Sequence, residues 1–320
     1  MKNTIISQPL VVLVGPTAIG KTALSLMLAK RYDCEIVSLD SMQVYRHMDI
    51  GTAKASKEER GAIAHHLIDI VDPNENYDAT RFTVDALKAI RDIHNRGKIP
   101  LLTGGTGLYL RALLHGIFPG VPVDEKVRLA LQHRLVAEGC SKLHEELIAF
   151  DRISGERIDK NDTQRLLRAL EIFYISGIPW SKHLEEQRRN SPEVIFTHLL
   201  QIGLTCDRQE LYSRINGRCR HMIDTGLEGE VRKLLAMGYD SSMKSLGSIG
   251  YRHMINYLEG VWTLPEMIDL LARDTRRYAK RQYTWFSKIH DLQWFPVSEP
   301  ERIIKCVDDW KANNEHWESK

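Results

Sequence analysis

Eight consecutive residues near the N-terminus have the types and spacing of a phosphate-binding loop. They are Gly15, Pro16, Thr17, Ala18, Ile19, Gly20, Lys21 and Thr22. In the pattern G-x-x-x-x-G-K-[ST], backbone N–H groups and the positive end of the following helix face one concavity. Lys21 would reach a terminal phosphate, and the Thr22 hydroxyl would hold a magnesium ion. The loop therefore predicts binding of a di- or triphosphate such as ATP, and it leaves the reaction open.

The segments around this loop have to place it at the edge of a sheet. Residues 10–14 are an apolar run and residues 23–30 have apolar positions at helical spacing, which gives strand, loop and helix. Further strands are predicted at 34–40, 65–71 and 99–103. One helix is predicted at 83–96, and another ends at residue 114. Ligands of such parallel sheets bind beyond the carboxyl ends of the strands. Asp40 and Thr106 follow strand ends, so both are predicted to lie beside the phosphate-binding loop.

The character of the sequence changes near residue 116. From 124 to about 187 it reads as helices only, at 126–138, 140–150 and 163–176, and a strand pattern returns at 194–204. We predict an α/β protein with a P-loop NTPase-like parallel sheet, formed by residues 1–118 and 195–320. An all-helical insertion domain would occupy residues 119–194. The alternative is that these helices pack onto the core as part of it.

The C-terminal part has two helical patterns that are rich in arginine, at 207–237 and at 266–288. The second pattern carries five positive charges at i, i+3, i+4, i+7 and i+8, which places them on one helical face. This basic stripe consists of Arg273, Arg276, Arg277, Lys280 and Arg281. The acid nearest to it in sequence is Asp274. Such a stripe is either a solvated charged face or a contact for a phosphate backbone, and the spacing leaves both open.

Composition excludes several classes of protein. The chain has 320 residues, 43% of them hydrophobic, and a net charge of +2, too small to identify a nucleic-acid binder by charge. Its five cysteines are widely spaced and never form C-x-x-C, which argues against a disulfide framework or a zinc site and favours a reducing cytoplasm. Because no stretch approaches 18 uninterrupted apolar residues, we expect no membrane span.

Two reaction classes compete for the phosphate-binding loop. In a small-molecule kinase, Asp40 would accept the proton of a substrate hydroxyl, and Asp69 or Asp72 would have to hold magnesium. That interpretation gives the basic stripe and the helical insertion no role, whereas a nucleic-acid acceptor would use both. The loop can equally hold the diphosphate of a prenyl donor, because it recognises phosphate oxygens and little else. A third alternative is an RNA-binding protein gated by a nucleotide, without group transfer.

Seven motifs, in order along nearly the whole chain, resemble those of the tRNA dimethylallyltransferases. They are the phosphate-binding loop, DSMQVY at 40–45, MDIGTAK at 48–54, HHLID at 65–69, GGTGLY at 104–109, NDTQRLLRALE at 161–171 and IGYR at 249–252. The resemblance, which is to the bacterial type, implies transfer of a dimethylallyl group from dimethylallyl diphosphate to tRNA. The acceptor would be N6 of the adenosine immediately 3′ of the anticodon, in tRNAs that read codons beginning with U. The P-loop small-molecule kinase is kept as the alternative.

The resemblance also implies roles for individual residues. Asp40 would be the general base, Lys21 and Arg218 would offset charge on the leaving diphosphate, and Thr22 would hold Mg²⁺. The tRNA contacts would be Asp40, Ser41, Met42, Gln43, Thr106, Arg128, Gln164, Arg165, Leu166, Leu167, Arg168, Ser248, Ile249, Gly250, Tyr251 and Arg252. The helical insertion would clamp the anticodon stem-loop. We expect a cytoplasmic monomer that does not bind a membrane.

Overall fold

The central element of the computed structural model, which describes residues 4–117, 121–122, 124–189 and 194–313, is a parallel sheet of six strands. The strands of the described chain are β1 (Thr4–Ile6), β2 (Leu10–Val14), β3 (Cys34–Leu39), β4 (His65–His66), β5 (Ile99–Gly104), β6 (Val194–Phe196), β7 (Leu199–Thr205) and β8 (Gln293–Pro296). The sheet has the order β4-β3-β5-β2-β7-β8, and every neighbouring pair is parallel. β1 and β6 form a separate parallel pair.

The helices of the described chain fall into two compact units. They are α1 (Lys21–Tyr32), α2 (Lys57–Ala62), α3 (Ala79–Asn95), α4 (Gly107–His115), α5 (Glu125–Phe150), α6 (Arg152–Arg157), α7 (Thr163–Ser176), α8 (Trp180–Arg189), α9 (Arg208–Asp224), α10 (Leu227–Ala236), α11 (Tyr251–Leu258), α12 (Leu264–Phe286) and α13 (Pro300–Ala312). The helical unit, over Gly116–Glu193, contains α5 to α8. The other helices belong to the α/β unit, over Thr4–His115 and Val194–Lys320. Among the residues described, no helix is both long and apolar enough to cross a membrane.

The predicted α/β fold with a parallel sheet is confirmed by these elements. The domain borders expected at 118/119 and 194/195 stay a prediction, because residues 118–120 and 190–193 lie outside the described residues. Within the helical unit, the helix expected at 163–176 is present as α7. The helices expected at 126–138 and 140–150 are the two halves of α5, which Gly139 interrupts at φ 80°.

The helical unit has a core of its own. Its buried residues are Leu131, Leu143, Leu147, Ile158, Leu166, Ala169 and Leu170. They come from α5, from α7 and from the segment between α6 and α7, and they are apolar at helical spacing, which is the pattern of helices that pack on one another.

The middle of the six-stranded sheet brings three strand ends together. β2 and β3 are buried at every position, as expected of parallel strands that are covered on both faces. β5 lies between them, with Gly104 in register with both Val14 of β2 and Leu39 of β3. A Cβ atom at Gly104 would lie 2.1 Å from the carbonyl oxygen of Leu39, so only glycine allows this close approach. The segments that follow β2, β3 and β5 therefore leave the sheet side by side.

Three predicted elements are shorter or divided in the structure. The strand predicted at 65–71 is only the two residues of β4, because Leu67 and Asp69 adopt left-handed φ values of 63° and 56°. The strand predicted at 194–204 is divided into β6, which pairs with β1, and β7, which pairs with β2. The helix predicted at 207–237 is divided into α9 and α10, because Gly226 adopts φ 102° between them.

A buried carboxylate, Glu35, connects β3 to β4 and to the end of α3. Its Oε2 accepts a hydrogen bond from Arg96 Nη2 at 2.6 Å and lies 2.7 Å from His66 Nε2, and its Oε1 accepts from Arg96 Nε at 3.1 Å. The partner of His65 is the carbonyl oxygen of Ile63. Both histidines are thus engaged in hydrogen bonds. The bonds from Arg96, together with the hydrogen bond to His66, lower the pKa of Glu35 to about 2 against the effect of burial.

We predict that Glu35→Gln destabilises the α/β unit in a pH-dependent way. Each lost hydrogen bond to a charged group lowers the free energy of unfolding by about 1.5–3 kcal/mol, and the variant leaves a former donor to Glu35 without its acceptor. Because the folded-state pKa lies below the ordinary value of 4.5, the carboxylate stabilises the fold fully above that pH, and this contribution disappears as pH falls towards about 2. Chemical denaturation of both proteins between pH 7 and pH 3 measures the difference. A gap in unfolding free energy that does not shrink at low pH would contradict the assignment.

Candidate active site

A cavity of about 420 Å³ opens beyond the carboxyl ends of β3 and β5 in the α/β unit. Its walls are formed by the phosphate-binding loop, the loop at 52–55 and side chains of α9 and α12. Its polar lining includes Lys21, Thr22, Ser38, Asp40, Gln43, Arg218, Tyr278 and Gln282. The phosphate-binding loop and the acid predicted to lie beside it therefore share one pocket.

Lys21 is folded back onto the loop that contains it. Its Nζ donates to the carbonyl oxygens of Gly15 at 2.9 Å and Pro16 at 2.7 Å. Burial, together with the positive charge of Arg218, lowers the pKa of Lys21 to about 7, and Asp40 acts in the opposite direction. Burial likewise lowers the pKa of Arg218, again opposed by Asp40. Two cations are thus held beside a single carboxylate, an arrangement that an added anion would stabilise.

The first turn of α1 is open to a ligand. Gly20 is its N-cap residue, at φ 110°, and no described side chain caps the helix. The first N–H groups of a helix have no intrahelical partner, and a bound phosphate satisfies them. Thr22 is exposed in this turn and lines the cavity. The loop from Gly15 to Thr22 therefore lies between a strand and a helix, as its sequence predicts, and its binding of phosphate stays a prediction.

Asp40 follows β3 and forms a turn with its own backbone. Its Oδ1 accepts from the N–H groups of Met42 at 2.8 Å and Gln43 at 3.3 Å, while Thr106 Oγ1 accepts from the N–H of Ser41 at 3.1 Å. Within the described residues, no hydrogen bond reaches Asp40 Oδ2. One oxygen of the carboxylate thus fixes its orientation, and the other is left to accept a proton.

Gln282 was not expected from the sequence to contribute to this site. It lies on α12 and is buried; its Oε1 accepts from the N–H of Thr17 at 2.8 Å, and its Nε2 donates to the carbonyl oxygen of Gly105 at 2.9 Å. A Cβ atom at Gly105 would lie 2.1 Å from that Nε2, so the glycine makes room for the amide. The sequence signal was a glutamine among Ala279 and Phe286, on the buried side of a helix. This amide joins the phosphate-binding loop to the segment after β5.

Tyr278 and Arg214 were also missed as parts of the site. Tyr278 lines the cavity one turn before Gln282, and burial, together with the negative charge of Asp40, raises its pKa. Arg214 Nη1 donates to the carbonyl oxygen of Ile19 at 2.9 Å, so α9 supports the phosphate-binding loop from outside the cavity. Neither role has a local pattern, because both partners are distant in sequence.

The predicted tRNA contacts are placed very differently in the α/β unit. Asp40 and Gln43 line the cavity, and Thr106 is bonded to the backbone beside it. Ser41, Met42, Ser248 and Ile249 are partly exposed, and Arg252 is exposed. The Tyr251 side chain is fully buried and Gly250 is buried. The Tyr251 hydroxyl donates to Glu230, and the contact of this residue with tRNA stays a prediction.

The predicted contacts in the helical unit lie on α5 and α7. Gln164 and Arg165 are exposed, Leu167 is partly exposed, and the Leu166 side chain is fully buried in the core of the unit. Their contacts with tRNA stay predictions. Arg128 and Arg168 both bind the buried carboxylate of Glu171, at 3.2 and 2.8 Å. Glu171 thus fixes two of the predicted arginines.

Asp69 and Asp72, the acids considered as magnesium ligands of a kinase, do not line the cavity. Asp69 is paired with Lys54 at 2.5 Å and Arg60 at 2.6 Å, and Asp72 with Arg46 at 3.1 Å. Both carboxylates are thus occupied by positive side chains. No described residues form a group of three or more His, Cys, Asp or Glu side chains able to hold a metal ion.

The basic stripe is only partly neutralised. Asp274 lies within 3.5 Å of both Arg273 and Arg277 and also pairs with Arg252 at 2.7 Å. Lys280 and Arg281 are exposed and make no ion pair within the described part of the chain. The C-terminal end of the stripe therefore keeps its positive charge free for a partner.

Comparisons with known proteins agree on one family. A model of the IPP transferase family matches residues 43–289, and a model of the isopentenyl transferase family matches residues 8–72. A tRNA dimethylallyltransferase of Desulfotalea psychrophila is 58% identical over 305 residues, covering 95% of this chain and 96% of the relative. One from Acetivibrio thermocellus is 44% identical, covering 94% and 96%.

Solved structures show the same likeness. The full-length tRNA isopentenylpyrophosphate transferase of Bacillus halodurans superposes with a TM-score of 0.70 at 40% identity, covering 98% of this chain and all of the other. A eukaryotic dimethylallyltransferase acting on tRNA superposes with a TM-score of 0.77 at 28% identity, covering 96% of this chain and 80% of the other.

We predict that Gln282→Leu weakens binding of inorganic diphosphate about tenfold, since two hydrogen bonds that shape the loop are lost at about 1 kcal/mol each. Titration calorimetry with diphosphate and Mg²⁺ measures the change. Thr284→Ala is the matched control, because Thr284 lies exposed on the same helix and its hydroxyl donates to the carbonyl oxygen of Lys280, away from the phosphate-binding loop. If the two variants bind diphosphate equally well, Gln282 does not shape the loop.

Proposed function

The chain belongs to the tRNA dimethylallyltransferase family and is a prenyltransferase that acts on tRNA, and from that premise we propose how it does so. The donor is dimethylallyl diphosphate, and the acceptor is N6 of the adenosine immediately 3′ of the anticodon, in tRNAs that read codons beginning with U. The observation that carries the proposal is that Asp40, Lys21 and Arg218 share one cavity with the phosphate-binding loop. We also assign the sheet to the P-loop NTPase-like class, supported by the position of that loop between β2 and α1.

In the proposed reaction a carbon chain moves and the diphosphate stays whole. The adenine nitrogen attacks the allylic carbon, a C–N bond forms, and the bond from that carbon to the diphosphate oxygen breaks. Asp40 Oδ2 accepts the proton that the amine releases, which helps because the lone pair of the amine is delocalised into the ring. Lys21, Arg218 and the loop N–H groups stabilise the charge on the leaving diphosphate.

Mg²⁺ fits the site as an ion that arrives with the diphosphate. The protein donors in the cavity are hard oxygen ligands, the Thr22 hydroxyl above all, and no described acidic cluster would hold the ion alone. Thr22 would therefore hold it, together with phosphate oxygens. When bound, the ion adds positive charge that offsets the charge of the diphosphate.

We assign tRNA contacts to both units of the chain. In the α/β unit these are residues 40–43, Thr106 and 248–252, and in the helical unit Arg128 and residues 164–168. Gly250, Tyr251 and Leu166 can contribute only backbone atoms in this conformation, because their positions are buried. The acceptor is the anticodon stem-loop, where bases are already partly unstacked and cost little to extrude. We further propose that the enzyme acts as a cytoplasmic monomer, since one chain supplies every proposed contact.

The direct test is the mass of the product. Incubated with an unmodified anticodon stem-loop, dimethylallyl diphosphate and Mg²⁺, the enzyme should add one C5 unit to the RNA and release diphosphate. ATP in place of the donor should give no RNA product and no phosphorylated product. An RNA mass that stays unchanged with the prenyl donor would overturn the proposal.

Asp40→Asn should lower the rate of the chemical step by about a hundredfold or more while RNA binding changes little, because the base is lost. Asparagine is the informative change, since its side-chain oxygen can still accept from the N–H groups of Met42 and Gln43 and so keep the turn. Single-turnover kinetics and RNA binding by fluorescence anisotropy separate the two effects. An equal loss in both would make Asp40 a recognition residue.

Removing two exposed charges at the C-terminal end of the basic stripe, in Lys280→Gln with Arg281→Gln, should weaken RNA binding and reduce its salt slope by about one to two. The control removes two exposed charges from α3, in Lys88→Gln with Arg91→Gln. Affinities measured between 50 and 300 mM salt give both slopes. If the stripe variant keeps the slope of the unmodified protein, the stripe is a solvated face.

A further inference from the structure

One carboxylate outside the cavity, that of Glu230, receives four hydrogen bonds. Its Oε2 accepts from the N–H groups of Asp49 at 2.8 Å and Ile50 at 2.7 Å. Its Oε1 accepts from the N–H of Gly51 at 3.0 Å and from the Tyr251 hydroxyl at 2.6 Å. Both oxygens are thus saturated by donors, three of which are consecutive backbone groups of one loop. Hydrogen bonds to a charged carboxylate are much stronger than hydrogen bonds to a neutral acceptor.

Glu230 lies on α10, so these bonds connect three separate segments. They are the first turn of α10, the loop at 49–51 and the start of α11, which Tyr251 opens. The contact is close: a Cβ atom at Gly51 would lie 2.5 Å from the Tyr251 ring. Burial, and then the charge of Glu230, raise the pKa of Tyr251, so its hydroxyl stays protonated and donates. The loop therefore has a fixed position against α10 and α11.

The position of this loop is transmitted to the cavity. The next residues, Thr52 and Ala53, line the cavity, and their carbonyl oxygens each accept from Gln43 Nε2 at 3.4 Å. Gln43 Oε1 in turn accepts from Ser38 Oγ at 3.0 Å. The orientation of the Gln43 amide in the cavity thus depends on where the loop places two carbonyl groups.

The far end of the loop is fixed by a different group. The Nζ of Lys54, whose side chain is 2% exposed, donates to the carbonyl oxygen of Tyr45 at 2.6 Å, and it pairs with Asp49 and Asp69 at 2.7 and 2.5 Å. That lysine holds the loop at its end, whereas the N–H groups of residues 49–51 are held by Glu230. Without Glu230, three backbone donors would lose their acceptor at once.

We propose that Glu230 is a positioning residue for the acceptor side of the reaction: it fixes the 49–53 loop, and through it Gln43, against the start of α11. The inference rests on the proposed function, in which residues 40–43 and 248–252 contact tRNA. The donor side has separate supports, namely Gln282 and Arg214 on the phosphate-binding loop. Loss of Glu230 should therefore raise KM for the RNA and leave KM for the prenyl donor nearly unchanged.

Glu230→Gln is the sharpest variant, because it keeps the size of the side chain but turns one acceptor oxygen into an NH₂ group that faces two donors. KM for an anticodon stem-loop should rise about tenfold, and KM for dimethylallyl diphosphate should change less than about twofold. Hydrogen exchange at the N–H groups of residues 49–51 should become faster. The control is Glu228→Gln, on the same turn, where the carboxylate pairs with Arg232 of its own helix at 2.8 Å and with no other described cation.

The outcomes separate the two claims. If the unmodified enzyme adds no C5 unit, the proposed function fails regardless of Glu230. If it does, and Glu230→Gln matches Glu228→Gln in KM for RNA, the positioning role is wrong. A purely structural role would lower the melting temperature of Glu230→Gln but leave both KM values of the folded enzyme unchanged.

A second variant covers failure of Glu230→Gln to fold. Tyr251→Phe keeps the ring against Gly51 and removes one of the four donors. It should raise KM for RNA in the same direction but by only about two- to threefold, as expected for one hydrogen bond. If Tyr251→Phe leaves KM for RNA unchanged and Glu230→Gln does not fold, the inference is overturned.

Discussion

The whole site depends on two basic side chains, Lys21 and Arg218, that the fold keeps close together and partly away from water. Burial disfavours the charged forms of Lys21 and Arg218, and the charge of Arg218 adds to the cost at Lys21; Asp40 is the carboxylate that offsets it. In the free site, the Lys21 amino group donates hydrogen bonds to the carbonyl oxygens of Gly15 and Pro16. A diphosphate would remove this electrostatic cost, because its negative oxygens would replace the carbonyl oxygens as acceptors and would neutralise both basic groups. The unfavourable electrostatics of the free site are thus a source of affinity for an anion.

Such a cluster has to be assembled from distant parts of the chain. β5 lies between β2 and β3, which brings the phosphate-binding loop, Asp40 and Gly105 to one edge of the sheet. α9 and α12 then supply Arg218 and Gln282, and the bond from Gln282 to Thr17 joins residues 265 positions apart in sequence. Contacts of this kind form only when the sheet and the C-terminal helices are in place. The site is therefore complete only when the α/β unit is folded.

Sequence reasoning succeeded where the signal was local. The phosphate-binding loop, the central strands and α7 follow from apolar runs, spacing and glycines that lie within a few residues of each other. It failed where residues distant in sequence determine the local structure. One example is β4, which ends after two residues because the left-handed Asp69 is held by Lys54 and Arg60. Gln282 and Glu230 were missed for the same reason, since their partners are far away along the chain. The motif containing Tyr251 was found, but the burial of its side chain against Glu230 does not follow from the motif.

The arrangement of acids explains why a loop shared with nucleotide-hydrolysing enzymes suits a prenyl donor. Phosphoryl transfer breaks a P–O bond, and it requires an acid that holds the metal ion on the phosphate being moved. In this chain Asp69 and Asp72 are engaged by lysine and arginine outside the cavity, and one acid that lines it, Asp40, carries an oxygen without a hydrogen bond among the described residues. When a C–O bond breaks instead, the loop needs only to hold the intact diphosphate and neutralise it. The acid can then serve the acceptor, where a proton has to leave the amine as the new C–N bond forms.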